Sequence, residues 1–253
     1  MIDTHCHVHD RAFDADRDEV IARARAAGVS AMVTVGEDVE DSIRAIETAQ
    51  RYELAAAAGI HPHQARNAPR DVANSLRPLL NLPGVVAIGE TGLDYYYEHS
   101  PRERQAQVLR AQLRLARETA LPVVFHQRDA FEDFVAILRE EWHAGMRGVV
   151  HCFTGTADQA RVYVGEFGLF LGIGGVLTFP KAQPLRDAVR AAGAATLVLE
   201  TDCPYLAPVP LRGKRNEPSF VTHTAIKLAE VLAMPRDELA AITDENALTL
   251  FRT

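Results

Sequence analysis

The chain contains little cysteine, no long apolar run and no surplus of positive charge. Three cysteines are few and odd in number for 253 residues, so they predict reduced thiols rather than a disulfide framework. No apolar stretch approaches the roughly 20 residues that span a bilayer, which predicts a soluble protein without a membrane partner. The first residues, Met1–His5, have neither the basic nor the apolar region of a secretory signal, so we expect a cytoplasmic protein.

The charge balance is acidic, with a formal net charge of −7. Proteins that bind nucleic acid through a global electrostatic field are usually strongly basic, because neutralising phosphates dominates their affinity. The composition therefore excludes a globally basic nucleic-acid surface. Any binding of nucleic acid has to depend on a local basic site or on bound metal ions.

Hydrophobic residues make up 47% of the chain, enough for one large core, and we expect residues 1–253 to form a single domain. Short β-branched or Ala/Gly-rich runs recur along the sequence. Several are almost continuously apolar, which is typical of parallel strands covered on both faces. The predicted strands are Ile2–His7, Ala31–Gly36, Leu54–His61, Val85–Glu90, Pro122–His126, Gly148–Phe153, Gly168–Ile173 and Thr196–Asp202.

Most of these runs are separated by amphipathic helical patterns, such as Asp16–Ala27 and Arg102–Ala120. The alternation predicts the α/β class and a single (β/α)8 TIM barrel with right-handed crossovers. An open doubly wound sheet is the alternative, but no glycine-rich phosphate fingerprint follows the first strand. The tail from Pro218 to Phe251 predicts two further helices, the second beginning near Pro235, that complete the outer ring.

Candidate metal ligands stand at the carboxyl ends of the predicted strands, where barrels of this kind place their active sites. His5 and His7 are two residues apart on a strand, so both imidazoles point to the same face and can reach one ion. Imidazole and carboxylate ligands together suit zinc, manganese or another first-row divalent ion. The complete candidate set is His5, His7, Glu90, His126, His151 and Asp202.

Each of these residues has an ordinary alternative role. A His-x-His pair can be two surface or core histidines, Glu90 can pair with a buried arginine, and Asp202 can cap the turn before Pro204. His126 and His151 can each be core histidines. Six such residues at the same end of the strands are hard to explain in this way, because buried polar groups without a ligand are costly. We therefore expect a metal site.

Four segments carry long and specific motifs. They are Asp3-Thr4-His5-Cys6-His7, Gly89-Glu90-Thr91-Gly92-Leu93-Asp94, His151-Cys152-Phe153-Thr154-Gly155 and Glu200-Thr201-Asp202-Cys203-Pro204-Tyr205-Leu206. These segments resemble the signatures of the TatD family, metal-dependent deoxyribonucleases of the amidohydrolase-like superfamily. The resemblance runs from Ile2 to Phe251, includes the segment 212–218, and shows no departure at a ligand position.

The resemblance implies two divalent metal ions per chain: magnesium, manganese or zinc. It assigns one ion to His5, His7 and Asp202 and the other to His126 and His151, with Glu90 bridging both. Asp202 and Glu90 are the expected catalytic residues, because Asp202 can orient the attacking water or take its proton. The implied activity is hydrolysis of DNA phosphodiester bonds, as a 3′→5′ exodeoxyribonuclease on single strands or ends. We expect a monomer with DNA as its substrate.

The candidates for substrate binding are His61, His63, Arg128, Lys214 and Asn216. The resemblance suggests that His61 meets a phosphate, although His-Pro-His can also stabilise a turn. Arg128 lies two residues beyond His126 and can contact an anion or be a surface arginine. The loop 212–216 has three positive charges and a glycine, so it can hold a phosphodiester or be only a solvated loop.

Two sets of neighbouring residues have less specific interpretations. The tyrosines 95–97 can stack on bases or pack within their loop. Cys6, Cys152 and Cys203 each adjoin a candidate ligand. Strand alternation predicts that their thiols point away from the metal face, so we expect three small buried residues.

Two other functions stay open at this point. The same metals on the same barrel can hydrolyse small-molecule or aminoacyl esters, since a fold does not fix a function. A barrel that has lost catalysis can also remain as a metal-binding scaffold. The intact set of six ligands argues against the scaffold, because a site without catalysis has no reason to keep them all.

Overall fold

A computed structural model describes residues 1–252, and their contacts group them into two compact units. The first unit combines Met1–Thr34 with His151–Leu250. The second contains Val35–Val150 and residues 251–252. Within residues 1–252, no helix combines the length and the apolar character needed to cross a membrane. A single domain over residues 1–253 stays a prediction.

Within residues 1–252, the strands form one sheet of eight members in the order in which they occur in the chain. They are β1 (Ile2–Cys6), β2 (Ala31–Val35), β3 (Ala55–Ala58), β4 (Val85–Asp94), β5 (Val123–Arg128), β6 (Gly148–Val150), β7 (Phe170–Ile173) and β8 (Leu197–Leu199). The described pairings are parallel. Within the first unit β1 also lies beside β8, because the Thr4 hydroxyl donates to the Leu199 carbonyl at 2.9 Å. The predicted (β/α)8 barrel class is confirmed.

Helices alternate with the strands. They are α1 (Arg17–Ala26), α2 (Val39–Tyr52), α3 (Val72–Leu80), α4 (Arg102–Thr119), α5 (Phe131–Glu141), α6 (Ala157–Phe167), α7 (Gln183–Ala192), α8 (Val221–Leu232) and α9 (Arg236–Phe251). The predicted bounds of α1 and α4 are correct to within one residue, because their apolar positions follow the helical period and are buried. The tail forms α8 and α9, as predicted.

β1 ends at Cys6, one residue before the predicted His7, and three other strands end three residues before their predicted ends. The last residues of these three strands are Ala58, Val150 and Leu199 in place of His61, Phe153 and Asp202. The backbone explains two of these ends, since Cys152 (φ 45°) and Asp202 (φ 57°) adopt the left-handed conformation, which cannot continue a strand. The candidate ligands His151 and Asp202 and the candidate substrate residue His61 therefore lie in the loops that begin just beyond the strands.

β4 is longer than the predicted segment 85–90, because its pairing with β5 continues until Asp94 stands opposite Arg128. Gly92 permits this extension. It has φ 153°, and a Cβ at this position would collide with the carbonyl oxygen of His126 on β5. Only glycine combines that backbone angle with so close an approach of the two strands. Asp94 is thereby carried to the end of a strand beside a candidate ligand.

Candidate metal centre

The first unit brings together four of the six candidate ligands: His5, His7, His151 and Asp202. The first two lie at the end of β1 and just beyond it, and Asp202 follows β8, its neighbour. Two backbone hydrogen bonds join these segments. The Asp202 N–H donates to the His5 carbonyl at 2.9 Å, and the His7 N–H donates to the Cys203 carbonyl at 2.8 Å. The Asp202 carboxylate is thus held against both histidines.

The donor atoms of this cluster converge. His5 Nε2 and His7 Nε2 are 3.2 Å apart, and Asp202 Oδ1 lies 3.5 Å from His7 Nε2. The His5 ring stacks on His151 with 3.8 Å between centroids, and His5, His151 and Asp202 offer donor atoms within 4.8 Å of one another. Burial alone would raise the pKa of Asp202, but the hydrogen bond from His7 and the nearby imidazoles outweigh it and hold that pKa below its usual range.

Two buried carboxyl groups that the sequence analysis did not select support this cluster. Glu200 Oε1 accepts a hydrogen bond from the Cys152 N–H at 2.5 Å and lies 3.6 Å from His151 Nδ1. Asp3 accepts the Thr201 N–H at 2.9 Å and the Thr201 hydroxyl at 2.6 Å, which connects β1 to the segment after β8. Burial raises the pKa of Asp3 to about 8. Both groups hold the backbone that presents the ligands.

The second unit brings Glu90 together with histidines that follow β3 and lie on β5. Glu90 Oε1 is 3.0 Å from His126 Nδ1 and 3.3 Å from His61 Nε2, and the three residues offer donor atoms within 4.8 Å of one another. Burial lowers the pKa of His61 to about 4, because it outweighs the opposing effect of Glu90. His61 is therefore neutral at neutral pH and can act as a ligand or as a hydrogen-bond donor.

Asp94 is a further buried carboxylate of the second unit, and sequence analysis missed it. Its Oδ2 lies 2.9 Å from His63 Nε2 and 2.9 Å from His126 Nε2. Its Oδ1 accepts the N–H groups of Tyr96 at 3.0 Å and Tyr97 at 2.9 Å. Burial alone would raise the pKa of Asp94, but the hydrogen bonds from His126, His63 and Tyr97 hold it well below its usual range. The signal available in the sequence was its place as the last residue of the motif 89–94.

Of the three tyrosines in the loop after β4, one is half-buried and two are exposed. Tyr95 is half-buried and donates its hydroxyl to Asp133 at 2.8 Å. Tyr96 and Tyr97 are 58% and 50% exposed. Arg128, a predicted substrate residue, is exposed at the end of β5 and lies over the Tyr96 ring at 4.0 Å. Its role in substrate binding stays a prediction.

In the basic loop 212–216 of the first unit, one of the three positive charges is paired with a carboxylate. Arg215 makes a two-point ion pair with Asp16, at 2.9 and 2.6 Å. Asn216 is buried, and its amide donates to the carbonyls of Thr201 at 2.8 Å and Tyr205 at 2.6 Å. Both hydrogen bonds of the Asn216 amide go to the protein's own backbone and hold the loop in place. Substrate binding by Asn216 stays a prediction. Lys214 is exposed.

The cysteine prediction is correct for two of the three residues. Cys6 and Cys203 are fully buried, whereas Cys152 is half-buried. The reason is that β6 ends at Val150, so Cys152 lies in a turn to which strand alternation does not apply. No disulfide bond occurs among residues 1–252.

The residues of both clusters fit divalent metal ions. Each cluster combines imidazole nitrogens with carboxylate oxygens, the donor set of zinc, manganese and related ions. The geometry of His5 and His7 adds to this. Their Nε2 atoms face each other at 3.2 Å, and an ion can accept lone pairs from both nitrogens at once.

A family model described as TatD related DNase matches residues 2–252. The chain belongs to this family. The uncharacterized metal-dependent hydrolase YabD of Bacillus subtilis strain 168 is 43% identical over 253 residues, which cover 100% of this chain and 99% of YabD. The 3′-5′ ssDNA/RNA exonuclease TatD of Rahnella sp. strain Y9602 is 42% identical, covering 94% of this chain and 93% of its own.

A solved structure agrees with this membership. The crystal structure of YjjV, a TatD homolog from Escherichia coli K12, superposes with a TM-score of 0.94 at 33% identity and covers 100% of this chain and 98% of its own. The expected resemblance to the TatD family is therefore confirmed, and so is the expectation of a metal-dependent hydrolase of the DNase class.

Proposed function

We propose that this TatD-family protein is a metal-dependent 3′→5′ exonuclease that removes nucleotides from single-stranded DNA or from DNA ends. The observation that carries the proposal is the pair of buried clusters of imidazole and carboxylate groups, one in each unit. The name of the Rahnella relative, 42% identical over nearly the whole chain, supports the polarity and the single-stranded substrate. A single domain, a monomeric state and a cytoplasmic location belong to the same proposal.

The proposal includes two divalent ions per chain, of magnesium, manganese or zinc. Their ligands are His5, His7 and Asp202 for one ion, His126 and His151 for the other, and Glu90 for both. The pairing and the bridging role of Glu90 come from the resemblance to the family. The shared donor chemistry of the two clusters supports the ligand set.

Divalent ions bound by these ligands would supply positive charge to the phosphate oxygens and lower the pKa of a bound water. The chain's own residues do the rest. Asp202, with its pKa held low, is ionised at neutral pH and can orient the attacking water or accept its proton. Neutral His61 can donate a hydrogen bond to a phosphate oxygen. Arg128 and Lys214, both exposed, can hold neighbouring phosphates.

Hydrolysis of a small-molecule or aminoacyl ester is the alternative. It uses the same metal ligands, so the two clusters by themselves do not separate it from nuclease activity. The family description and the name of the Rahnella relative favour a nuclease. Ester hydrolysis is therefore distinguished from nuclease activity by the substrates that the protein hydrolyses.

The test compares three substrates with the purified wild-type protein: a single-stranded oligonucleotide, a small phosphodiester and a carboxyl ester. Each is incubated with a divalent metal, with a chelator, and with the metal restored. We expect rapid, chelator-sensitive hydrolysis of the oligonucleotide and slower hydrolysis of the small phosphodiester. Hydrolysis of the carboxyl ester alone would establish the alternative function, and hydrolysis that the chelator does not affect would contradict both.

A further inference from the structure

An exposed group of aromatic and cationic side chains lies in the loop after β4. We call it the tyrosine platform and define it as Tyr96, Tyr97, His99 and Arg128. All four side chains are exposed. The Arg128 guanidinium lies 4.0 Å from the Tyr96 ring centroid and 4.9 Å from that of Tyr97. His99 stacks on Tyr97, with 5.4 Å between centroids and 7° between the ring planes.

Hydrogen bonds to buried groups fix the backbone of the platform. Asp94 Oδ1 accepts the N–H groups of both Tyr96 and Tyr97, so the backbone under both rings is fixed. The Tyr95 N–H donates to the Arg128 carbonyl at 2.9 Å, which ties the loop to the end of β5. Gln105 of α4 accepts the Asp94 N–H at 2.8 Å and donates to its carbonyl at 3.0 Å. Solvent-exposed aromatic rings on so restrained a backbone are presented without a large loss of entropy on binding.

The same carboxylate connects the platform to a candidate metal ligand. Asp94 Oδ2, the second oxygen of the group that holds the tyrosines, lies 2.9 Å from Nε2 of His126. Tyr97 also packs edge-on against His63, with 5.5 Å between centroids. The platform therefore lies immediately beside the candidate metal ligands of the second unit.

We infer that the tyrosine platform is a base-stacking subsite, on which a nucleobase of single-stranded nucleic acid stacks face-on against one tyrosine ring while the other, at 89° to it, contacts the edge of the base. The inference rests on the proposed function and adds to it the part of the substrate that these side chains recognise. Every base has a flat π-face, so stacking on tyrosine and arginine tolerates any sequence. Such a contact suits an enzyme that removes successive nucleotides, because it holds each base without selecting it.

Duplex DNA does not fit this subsite as well, because its bases are stacked on one another and expose only their edges. The platform thus gives a physical reason for a preference for single strands. The platform contributes to substrate affinity separately from phosphate binding. Stacking depends on the nucleobase, whereas charge pairing depends on the phosphate backbone of the nucleic acid.

The test measures the affinity of the metal-loaded protein for two short single strands of equal length. One carries bases, and the other carries abasic residues on the same backbone. Phosphorothioate linkages keep the phosphate charge and resist cleavage. We expect the wild type to bind the base-bearing strand about tenfold more tightly, the scale of one aromatic–base stack. Tyr96→Ala and Tyr97→Ala should each lose most of this preference and leave the affinity for the abasic strand unchanged.

Two controls accompany these variants. Tyr96→Phe keeps the ring and should retain the preference for bases. Tyr52→Ala removes a different tyrosine that also contacts an arginine, since Arg51 lies 5.1 Å from the Tyr52 ring. Tyr52 is the last residue of α2 and comes just before β3, whereas His61 comes after β3, so the two residues lie at opposite ends of that strand. Tyr52→Ala should change neither affinity.

Equal affinity of the wild type for both strands would overturn the inference, and so would equal losses on both strands in the alanine variants. The proposed function has its own readout, cleavage of the corresponding unmodified strand. A preference for bases without any metal-dependent cleavage would contradict the nuclease and keep the stacking subsite. Cleavage without a preference for bases would contradict the subsite and keep the nuclease.

Discussion

Asp94 shows how one buried carboxylate can orient a metal ligand. Its Oδ2 lies 2.9 Å from both His126 and His63, and a carboxylate behind a ligating imidazole fixes the orientation and tautomer of that ring. Asp94→Asn has nearly the same shape but offers a single carbonyl oxygen and no charge. We expect it to weaken metal binding about 10- to 100-fold, as loss of such partners typically does. Titration with Co²⁺, followed by its visible absorption, measures this affinity.

A matched control removes the same charge nearby. Asp133 accepts a hydrogen bond from Tyr95 and is exposed, so Asp133→Asn should leave the Co²⁺ affinity at the wild-type value. Wild-type affinity in Asp94→Asn would show that Asp94 serves only the loop and not His126.

The six candidate ligands could be selected from the sequence because the ends of parallel strands meet on one rim. Their partners could not. Asp94 stands before three tyrosines and looks like a loop residue, and Glu200 looks like the end of an apolar strand. The role of Arg215 depends on Asp16, which is 199 positions away in the chain, and no local pattern predicts such a pair.

At the scale of single elements, the contact of β4 with β5 depends on Gly92. A Cβ at this position would collide with the His126 carbonyl, and φ 153° is strained for any other residue. We expect Gly92→Ala to lower the free energy of unfolding by roughly 3 kcal/mol or more. Denaturant unfolding followed by circular dichroism measures the change.

Gly165 is the matched control, since it is exposed within α6 and a Cβ there would meet nothing within 4 Å. Gly165→Ala should raise the free energy of unfolding by about 0.5–1 kcal/mol, the usual gain for this change within a helix. Similar small effects of both substitutions would contradict the close approach of β4 and β5.

A network of ion pairs joins α1 to the segment before α8. Arg23 lies 2.6 Å from Glu217 and 3.6 Å from Asp16, and Asp16 also pairs with Arg215. Burial alone would raise the pKa of Glu217, but its hydrogen bonds from Arg23 and Ser219 lower it, and the hydrogen bond from Arg215 lowers the pKa of Asp16. Arg23→Ala should therefore lower the free energy of unfolding by about 1 kcal/mol at neutral pH, since the arginine is half-exposed.

The pH dependence of this difference follows from the direction of the shifts. A carboxyl group whose pKa is lowered in the folded state stabilises that state above its unfolded pKa, near 4, and the stabilisation disappears as the pH falls through the folded value. The gap between wild type and Arg23→Ala should hence shrink below about pH 4. Arg161→Ala, which removes an exposed pair with Asp158, should show a smaller gap at neutral pH. A gap that stayed constant down to strong acid would contradict the network.

At the scale of the whole molecule, the net charge of −7 leaves phosphate binding to a few local cations. Arg215 is paired with Asp16 and the Arg212 guanidinium lies over the Phe179 ring, so Lys214 is the exposed cation of the loop 212–216 to test. Lys214→Ala should raise the KM for an oligonucleotide several-fold more than the KM for a small phosphodiester, because only the longer substrate reaches the loop. The dependence of binding on salt should become shallower by about one charge.

Lys227→Ala removes the same charge from α8, where Lys227 pairs with Glu230, and should leave both KM values unchanged. Equal increases of KM on both substrates in Lys214→Ala would mean that the loop supports the site structurally. No increase on either would contradict the phosphate-binding role.

The order of strands and the alternation with helices could be predicted because each follows from apolar periodicity along the chain. The strand ends could not, because they depend on the left-handed residues Cys152 and Asp202 and on the close approach at Gly92. These are the places where the backbone turns a ligand toward its partners. The candidate ligands His151 and Asp202 therefore lie just beyond the strand ends, in a local geometry that the strand pattern does not predict.

The proposed 3′→5′ nuclease activity depends on metal bound by this ligand set and on Asp202 at the reacting water. The decisive measurement is the rate at which 3′-terminal nucleotides leave a single-stranded oligonucleotide, for the wild type and for Asp202→Asn, with bound metal determined on both proteins. We predict that chelation abolishes release by the wild type, that added metal restores it, and that folded, metal-containing Asp202→Asn is slower by orders of magnitude. Release that survives chelation, or near-wild-type release by Asp202→Asn, would contradict the claim.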